Sequence, residues 1–441
     1  MLEMYYADVS MRRVEDITEA LWGTRVSPST VSELNQKIAG QIEAWRNASP
    51  TRLSRCAVER PCQDSPFPNE LRGHHLNFMH LPITSPFIFV GTCTPKDGAA
   101  RGIYAMRLDS GTGQLDKPEL AAATPNPTFL ALHPNGRVLY AVSEAGTVNG
   151  KPGGAARAFR LDTGAALIPL NLEATGGPGV THLVPDATSR MLVSVSYSGG
   201  QVISFPLAVD GRIGPCASLL ALAGALGPMT KRQDRPHPHS VTLSPDNRFA
   251  YVCDLALDKV FAYRLDPAAV SLTPAGESAT EPGAGPRHSK ISDDGRFLYV
   301  INELNSTISV YARDPARGML MPVQTVPTLP ADFARANICA EIRIHPNGRF
   351  VYGSNRGHDS IAVYARDSAR GTLAFLESIS SGGKHPRNFA LSPDGAWLVC
   401  ANRDSDNLVV FRVDPATGCL TPTGHTAAVP QAVCVLFATG G

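Results

Sequence analysis

A segment that ends in aspartate recurs seven times between residues 85 and 441, and it constrains the fold more than any other feature. Apolar residues alternate or run together in these segments, as in KVFAYRLD and SIAVYARD, which is typical of β-strands. The terminal aspartates follow one another at intervals of 47 to 56 residues and are Asp109, Asp162, Asp210, Asp266, Asp314, Asp367 and Asp414. Seven copies of about fifty residues predict an all-β fold, a seven-bladed β-propeller in which each blade is a four-stranded sheet.

A β-hairpin is predicted ahead of the aspartate-ended strand in six of the repeats. Its turn reads P-[DN]-[GN] or D-D-G between two apolar runs, as in HSVTLSPDNRFAYVCDL (239–255), although the copy at 181–198 lacks the turn glycine. The seventh inner strand must then be QAVCVLFAT (431–439), paired with FIFVGTC (87–93). This pairing of the N- and C-terminal strands closes the ring and leaves no open sheet edge.

Composition excludes several classes of protein. The 40 Lys and Arg residues nearly balance the 39 Asp and Glu residues, so no global charge favours nucleic acid or a membrane surface. The longest apolar run, 217–227, is shorter than the roughly 20 residues of a membrane-spanning helix, and the N-terminus lacks the pattern of a signal peptide. Nine cysteines without a CxxC pair suit a reducing compartment. We therefore expect a cytoplasmic protein, and a monomer because a closed propeller has no edge to cover.

Residues 1–47 have a helical pattern that differs from the rest of the chain. Apolar residues at helical spacing end at Gly23, and a T-x-x-E capping box at Thr30 begins a second amphipathic stretch. We predict two short α-helices there. Residues 48–84 show no sustained period and are predicted to be a linker. The expected domains are thus 1–47, the linker 48–84, and the propeller at 85–441.

The segment RRVEDITEALWGTRVSPSTVSELNQKIAGQIEAWRN (12–47) closely resembles part of the Mutator-type insertion-sequence transposases. That family needs a carboxylate triad in a separate catalytic domain, and no such domain follows here. We interpret the segment as the remnant of a gene fusion, with Met79 near the original start of the downstream protein. A DNA-binding role is less favoured, because residues 1–47 hold five basic residues against seven acidic ones.

Unusual polar residues fall almost entirely on one face of the predicted disc. Strand polarity alternates in a blade, so the residues that precede each inner strand and those that end the next strand lie together, opposite the hairpin turns. The motifs concerned include PHPHS (236–240), GPRH (285–288) and HPRN (385–388). One funnel mouth is therefore expected to gather His239, Arg287, His288, Glu303, Glu341, Arg356 and Arg387.

Three arginines beside carboxylates at a concave mouth suggest an anionic small molecule, because guanidinium groups match phosphate and carboxylate geometry. A structural role is an equal alternative for Arg356 and Arg387, since polar residues at strand ends often satisfy loop backbone. His239, Arg287 and Glu303 are stronger candidates, because acid–base and anion-binding side chains coincide there.

The motifs GAGPRHSKISDDGRFLYVINELNSTISVY and AEIRIHPNGRFVYGSNRGHDSIAVY resemble those of the seven-bladed lactonase family over residues 85–441. The family includes a propeller-type 6-phosphogluconolactonase and is similar to a carboxymuconate-lactonizing enzyme. The resemblance implies hydrolysis of a sugar lactone in the pentose phosphate route, with no metal and no cofactor. A lactonising reaction on a muconate, and a propeller that only binds an anion or a protein, stay open as alternatives.

Carried over residue by residue, the resemblance implies a catalytic set of His239, Arg287, Glu303 and an arginine of the later blades, which we place at Arg356 first and at Arg387 second. From their position at the predicted mouth, we expect His288, Arg387 and Glu341 to contact the substrate. His239 or Glu303 is then the general base, Arg287 stabilises the oxyanion, and the later arginines hold the phosphate. The chain departs from the family at Ser143-Glu144, where N-E is usual, at Val195–Gly200, where A-N-Y-x-G-G is usual, and at Gly91–Cys93, where G-T-Y is usual.

Overall fold

The structure is a computed structural model that describes residues 86–144, 147–148, 151–162 and 166–438. Every regular element within these ranges is a β-strand. The helices predicted in 1–47 and the linker predicted at 48–84 lie outside the described residues. None of the described residues forms a helix that is long and apolar enough to cross a membrane.

Seven four-stranded antiparallel sheets account for 28 of the strands, and a small hairpin of β6 with β7 accounts for the other two. In chain order the strands are β1 (Phe87–Thr92), β2 (Gly102–Arg107), β3 (Glu119–Ala123), β4 (Leu130–Leu132), β5 (Val138–Ser143), β6 (Thr147–Val148), β7 (Lys151–Pro152), β8 (Ala155–Leu161), β9 (Leu167–Ala174), β10 (Val180–Pro185), β11 (Met191–Ser196), β12 (Gln201–Pro206), β13 (Ser218–Ala221), β14 (Pro238–Leu243), β15 (Phe249–Asp254), β16 (Lys259–Asp266), β17 (Ser271–Ala279), β18 (Pro286–Ile291), β19 (Phe297–Asn302), β20 (Thr307–Arg313), β21 (Leu320–Pro327), β22 (Ile338–Ile344), β23 (Phe350–Arg356), β24 (Ser360–Arg366), β25 (Leu373–Ser380), β26 (Pro386–Leu391), β27 (Trp397–Asn402), β28 (Asn407–Val413), β29 (Leu420–Ala428) and β30 (Ala432–Ala438).

The sheets are the seven blades, and the predicted closure is confirmed. Blade 1 has the strand order β30-β1-β2-β3, so the last strand of the chain is the inner strand of the first blade. Phe87 pairs with Ala438 and Val90 with Val435 in an antiparallel register. Blades 2 to 7 begin at β4, β10, β14, β18, β22 and β26, and these first strands neighbour one another around the central channel.

The repeated aspartates are structural residues that shape the turn after the third strand of a blade. Asp367 Oδ1 accepts hydrogen bonds from the backbone N–H groups of Ala369 and Arg370, and Asp314 and Asp414 do the same in their own turns. An aspartate side chain that binds the backbone two residues ahead favours a turn over continued strand. The seven-fold sequence signal therefore marks turns on the blades rather than a site.

Several of these turns also join their blade to the preceding one. Gly371 has a φ of +77°, and a Cβ built on it would lie 2.2 Å from a ring carbon of Phe297 in blade 5. Tyr299, also in blade 5, donates its hydroxyl hydrogen bond to the Gly371 carbonyl at 2.9 Å. Only glycine fits such a close approach at a positive φ. Gly113 of blade 1 meets Trp397 of blade 7 in the same way, which joins the two ends of the ring.

The core lies between adjacent blades. The second strands are fully buried in most blades, as in β19 and β27, and they supply the aromatic and β-branched residues of the interblade clusters. The buried second strand fixes the position of the residue that follows it. That residue emerges at the channel mouth, on the face opposite the hairpin turns.

Candidate active site

Two concentric sets of residues surround the channel mouth. The inner ring has one residue at the start of each inner strand. In six blades the register shift leaves this residue without a partner on the next strand, and in blade 2 it precedes β4. The members are Thr128, Thr181, His239, Arg287, Ala340, Arg387 and Val433. The outer ring is the residue that follows a buried polar side chain at the end of the next strand: Cys93, Glu144, Tyr197, Leu255, Glu303, Arg356 and Arg403. Each ring thus combines side chains of five different types around one opening.

A small cavity of about 20 Å³ lies at the centre of this mouth. Every member of the inner ring except Ala340 lines it, together with Phe129, Glu144, His288 and Asn388. Among the described residues, no group of three or more His, Cys, Asp or Glu side chains is arranged to hold a metal ion. The predicted residues His239, Arg287, His288 and Arg387 are therefore brought together in one enclosed space.

Glu303 is the centre of a buried charge cluster beside this cavity. Its Oε2 accepts hydrogen bonds from Arg287 Nε at 2.8 Å and makes an ion pair with Arg356 Nη2 at 3.0 Å. Its Oε1 is 2.5 Å from Arg232 Nη2. Glu303 and Arg287 are each 2% exposed and Arg356 is 5% exposed, so water hardly screens these contacts. Three predicted residues thus form one unit, and Arg232 is an addition to it.

The charges in this cluster determine the protonation states. Burial alone would raise the pKa of Glu303, but the charges of Arg356 and Arg287 outweigh burial and hold it well below its usual range. Burial, with repulsion from neighbouring arginines, lowers the pKa of Arg287 to about 9, and burial lowers that of Arg356 to about 10. Glu303 is therefore ionised and a weak base, and the two arginines stay cationic at pH 7.

His239 has the opposite character. Burial, followed by the charge of Arg287, lowers the pKa of His239 well below its ordinary value, so the ring is neutral at pH 7. Its Nδ1 is buried and has no hydrogen-bond partner among the described residues. The ring packs edge-on against Tyr197, with centroids 5.4 Å apart, and against His288, at 5.2 Å. A neutral imidazole in the cavity wall keeps a ring nitrogen lone pair that can accept a hydrogen bond from a bound water molecule.

His288 and Glu341 lie one level deeper than the inner ring. Glu341 is fully buried, and its Oε2 binds His288 Nδ1 at 3.1 Å and Asn388 Nδ2 at 2.5 Å. His288 and Asn388 line the cavity, whereas Glu341 is not among the side chains that line it. Glu341 therefore orients two cavity residues from behind.

Arg387 is an arginine of the mouth whose charge is not paired with a carboxylate among the described residues. It lines the cavity, and no hydrogen bond or ion pair to another described residue engages its guanidinium. Arg403, in the outer ring of the same blade, is instead paired with Asp404 at 2.7 Å. Arg387 therefore offers an unneutralised cation to whatever enters.

Sequence reasoning missed Arg232 and gave Glu144 no role. Arg232 comes from the loop before β14, where Gln233 donates hydrogen bonds to the Leu255 carbonyl and to Asp258 and so fixes the loop over Glu303. No other repeat contains this loop, so no periodic signal pointed to it. Glu144 did carry a signal, because it occupies the same outer-ring position as Glu303.

Known proteins resemble this chain over the whole propeller. A family model described as lactonase, seven-bladed β-propeller, matches residues 87–437. A Bacillus subtilis 6-phosphogluconolactonase is 36% identical over 349 residues, which is 79% of this chain and 97% of the relative. A Formosa agariphila 6-phosphogluconolactonase is 31% identical over 69% of this chain and 86% of its own length. A Pseudomonas aeruginosa structure described as a periplasmic gluconolactonase aligns with a TM-score of 0.75 and 33% identity, covering 81% of this chain and 99% of that one.

The N-terminal resemblance is also confirmed, since a family model for the Mutator family of transposases matches residues 1–53. That match ends before the first described strand, which begins at Phe87. The lactonase model covers most of the chain, and relatives of more than 30% identity agree with it over nearly their full length. The chain is therefore a lactonase, a hydrolase of cyclic carboxylic esters, and belongs to the seven-bladed β-propeller lactonase family.

Proposed function

We propose that this enzyme hydrolyses 6-phosphogluconolactone to 6-phosphogluconate, a step of the pentose phosphate pathway. The observation that carries the proposal is the surplus of positive charge around an enclosed cavity. Arg287 and Arg387 line it, and Arg232 and Arg356 lie beside it, whereas Glu303 and Glu144 supply the negative charge. Four guanidiniums against two carboxylates favour a ligand with two negative charges. The names of two relatives, 6-phosphogluconolactonase, support the same substrate.

The phosphate is assigned to Arg387 and Arg356. Arg387 has no carboxylate partner among the described residues, and the Nε of Arg356 is buried without a hydrogen-bond acceptor. A guanidinium with unused donors binds phosphate oxygens in a forked geometry that lysine does not provide. Binding of the phosphate would satisfy a buried donor that is otherwise without a partner.

The chemical step follows from the protonation states. His239 takes a proton from a water molecule whose oxygen attacks the lactone carbonyl carbon, and Arg287 stabilises the negative charge that develops on the carbonyl oxygen. The bond between the carbonyl carbon and the ring oxygen then breaks. The His239 imidazolium returns the proton to that ring oxygen, which becomes the free hydroxyl of the open acid. Both oxygens of Glu303 are already taken by arginines, so Glu303 does not contact the water and instead holds Arg287 and Arg356 in place.

The test measures loss of 6-phosphogluconolactone by the full chain against its spontaneous hydrolysis. Arg287→Ala is expected to lower kcat/KM by about 10²–10³, as for removal of an oxyanion donor. Arg387→Gln is expected to raise KM for the phosphorylated lactone, while Arg235→Gln, an exposed arginine paired with Asp234, serves as the matched control. No acceleration by a folded sample would reject this substrate, and turnover of a muconate instead would point to the lactonising reaction.

We further propose that residues 85–441 form the complete catalytic domain, after a fusion-derived segment at 1–47 and a linker at 48–84. The family model matches residues 87–437, and a separate alignment of 349 residues spans 97% of the Bacillus subtilis relative, which supports this division. We also propose that the protein is a cytoplasmic monomer. The cysteines within the described residues are all free thiols, which supports a reducing compartment. Cell fractionation and light scattering test these two points directly.

A further inference from the structure

Glu144 is the carboxylate that lines the cavity. It lies at the end of β5 in blade 2, three blades away from the Arg287 side of the mouth. Thr128, the inner-ring residue of the same blade, donates its hydroxyl hydrogen bond to Glu144 Oε1 at 2.7 Å. The backbone N–H of Glu144 donates to the Asn126 carbonyl at 3.3 Å, so both backbone and side chain are positioned.

The surroundings of Glu144 differ from those of Glu303, although both occupy the outer ring. Three guanidiniums surround Glu303 and use both of its oxygens. Glu144 is held by one neutral hydroxyl, and its Oε2 accepts no hydrogen bond from the described residues. At equivalent positions of the repeat, both oxygens of Glu303 are therefore occupied by arginines, whereas Glu144 can still accept hydrogen bonds.

The free oxygen of the Glu144 carboxylate favours neutral hydroxyl groups as ligands. An ionised carboxylate only accepts hydrogen bonds, and hydroxyl groups are the neutral donors that bind it most simply. It also repels phosphate, so it disfavours a substrate that enters with its phosphate toward blade 2. A sugar lactone carries ring hydroxyls at the carbons between the carbonyl and the phosphate-bearing arm, and these are the donors a cavity-lining carboxylate would meet.

We propose that Glu144, held by Thr128, binds the ring hydroxyls of the lactone and so selects polyhydroxylated lactones and fixes their orientation. The inference rests on the proposed sugar-lactone function. Glu144 is a specificity-determining residue in this scheme, and Thr128 is a positioning residue that acts through it. Neither takes part in the proton transfer assigned to His239.

The experiment compares two neutral six-membered lactones, glucono-δ-lactone, which has ring hydroxyls, and δ-valerolactone, which has none. Glu144→Gln is expected to lower kcat/KM for glucono-δ-lactone about 10- to 100-fold, the range of a lost charge-assisted hydrogen bond, and to leave δ-valerolactone within about twofold. Thr128→Val is expected to shift the same ratio in the same direction by a smaller factor. Glu281→Gln, an exposed glutamate in the loop before β18, is the matched control and leaves both substrates unchanged.

Two results would overturn the proposal. An equal loss with both lactones would mean that Glu144 acts on the carbonyl chemistry or on the fold, and a thermal melt of each variant separates these two. An unchanged kcat/KM for both lactones in Glu144→Gln would mean that the hydroxyls are bound elsewhere. Neither lactone carries phosphate, so the ratio can be measured even if 6-phosphogluconolactone proves not to be a substrate. Failure of the proposed substrate is thus distinguished from failure of this inference.

Discussion

Replacing Glu303 by glutamine removes the negative charge that three arginines share. Glu303, Arg287 and Arg356 are almost fully buried, so water cannot replace the lost carboxylate. Removing one partner of a buried ion pair costs about 3–5 kcal/mol, because the other charge is left without compensation. The side chain of Arg232 is 39% exposed, so its ion pair with Glu303 is expected to contribute at most about 1 kcal/mol to the free energy of unfolding. We therefore expect Glu303→Gln to lower the free energy of unfolding by about 3–5 kcal/mol.

Urea denaturation at pH 7 measures this loss without adding salt that would screen the charges. For a propeller spanning residues 87–437, an unfolding entropy of about 2.1 cal/mol/K per residue gives roughly 0.7 kcal/mol/K in total. The expected decrease in Tm is then about 4–7 °C if the ring unfolds as one unit. The reasoning would be refuted if Glu303→Gln were as stable as the Glu281→Gln control.

Two further variants separate charge from packing. In the Glu303→Gln background, Arg356→Met removes one of the buried cations that lost its partner, and part of the stability should return. Arg232→Gln in the natural background should cost less than about 1 kcal/mol, because that guanidinium is already half in water. If Arg356→Met made the double variant less stable than Glu303→Gln, repulsion among the arginines would not be the cause of the loss.

The remaining predictions concern catalysis, acid stability, packing and domain limits. The pKa of His239 is depressed, so kcat/KM for glucono-δ-lactone should stay level as pH falls through 6.5 and decline only at lower pH; a half-maximum near 6.5 would contradict the assignment of the base. The folded pKa of Glu303 is also depressed, so its contribution to stability should be complete above about pH 4.5 and disappear as pH falls further, which acid unfolding of the natural protein against Glu303→Gln would detect. Gly371→Ala should lower Tm because the new Cβ would clash with Phe297, whereas Gly424→Ala, which has a similar φ and open space around it, provides a control for backbone strain alone. Residues 79–441 alone should retain the specific activity of the full chain, and a large loss would assign a role to the N-terminal segment.

The sequence predicted the propeller and its closure because those features depend on local patterns. Aspartate turns and hairpin glycines recur with fixed spacing, and the pairing of 87–93 with 431–439 followed from counting inner strands. The grouping of Arg287, Glu303 and Arg356 was also predictable, because alternating strand polarity brings their positions to one face. The helices predicted in residues 1–47 lie outside the described residues and stay a prediction.

The depth of each side chain in the channel, and the contact that the loop with Arg232 makes to Glu303, were not predictable from the sequence. The register shift at the start of the inner strands places adjacent residues at different levels of the channel, so Arg287 and His288 differ in depth. The same shift leaves Glu341 behind the cavity wall, although its position in the motif resembles that of the lining residues. Arg232 reaches Glu303 across 71 residues of sequence because Gln233 fixes its loop, and this tertiary contact leaves no periodic trace.

The two rings explain how a fold with seven similar blades produces an asymmetric site. The repeat fixes where fourteen side chains emerge, so the character of the mouth depends largely on which residue occupies each position. Guanidiniums occupy ring positions in blades 5 to 7, whereas hydroxyls and a free carboxylate occupy those in blades 2 and 3. A substrate with an anionic end and a hydroxyl-bearing ring fits this division in one orientation. The double variant Glu144→Arg with Arg387→Glu exchanges the charges of the two sides and keeps the net charge of the protein. If it folds, it should therefore no longer turn over the phosphorylated lactone.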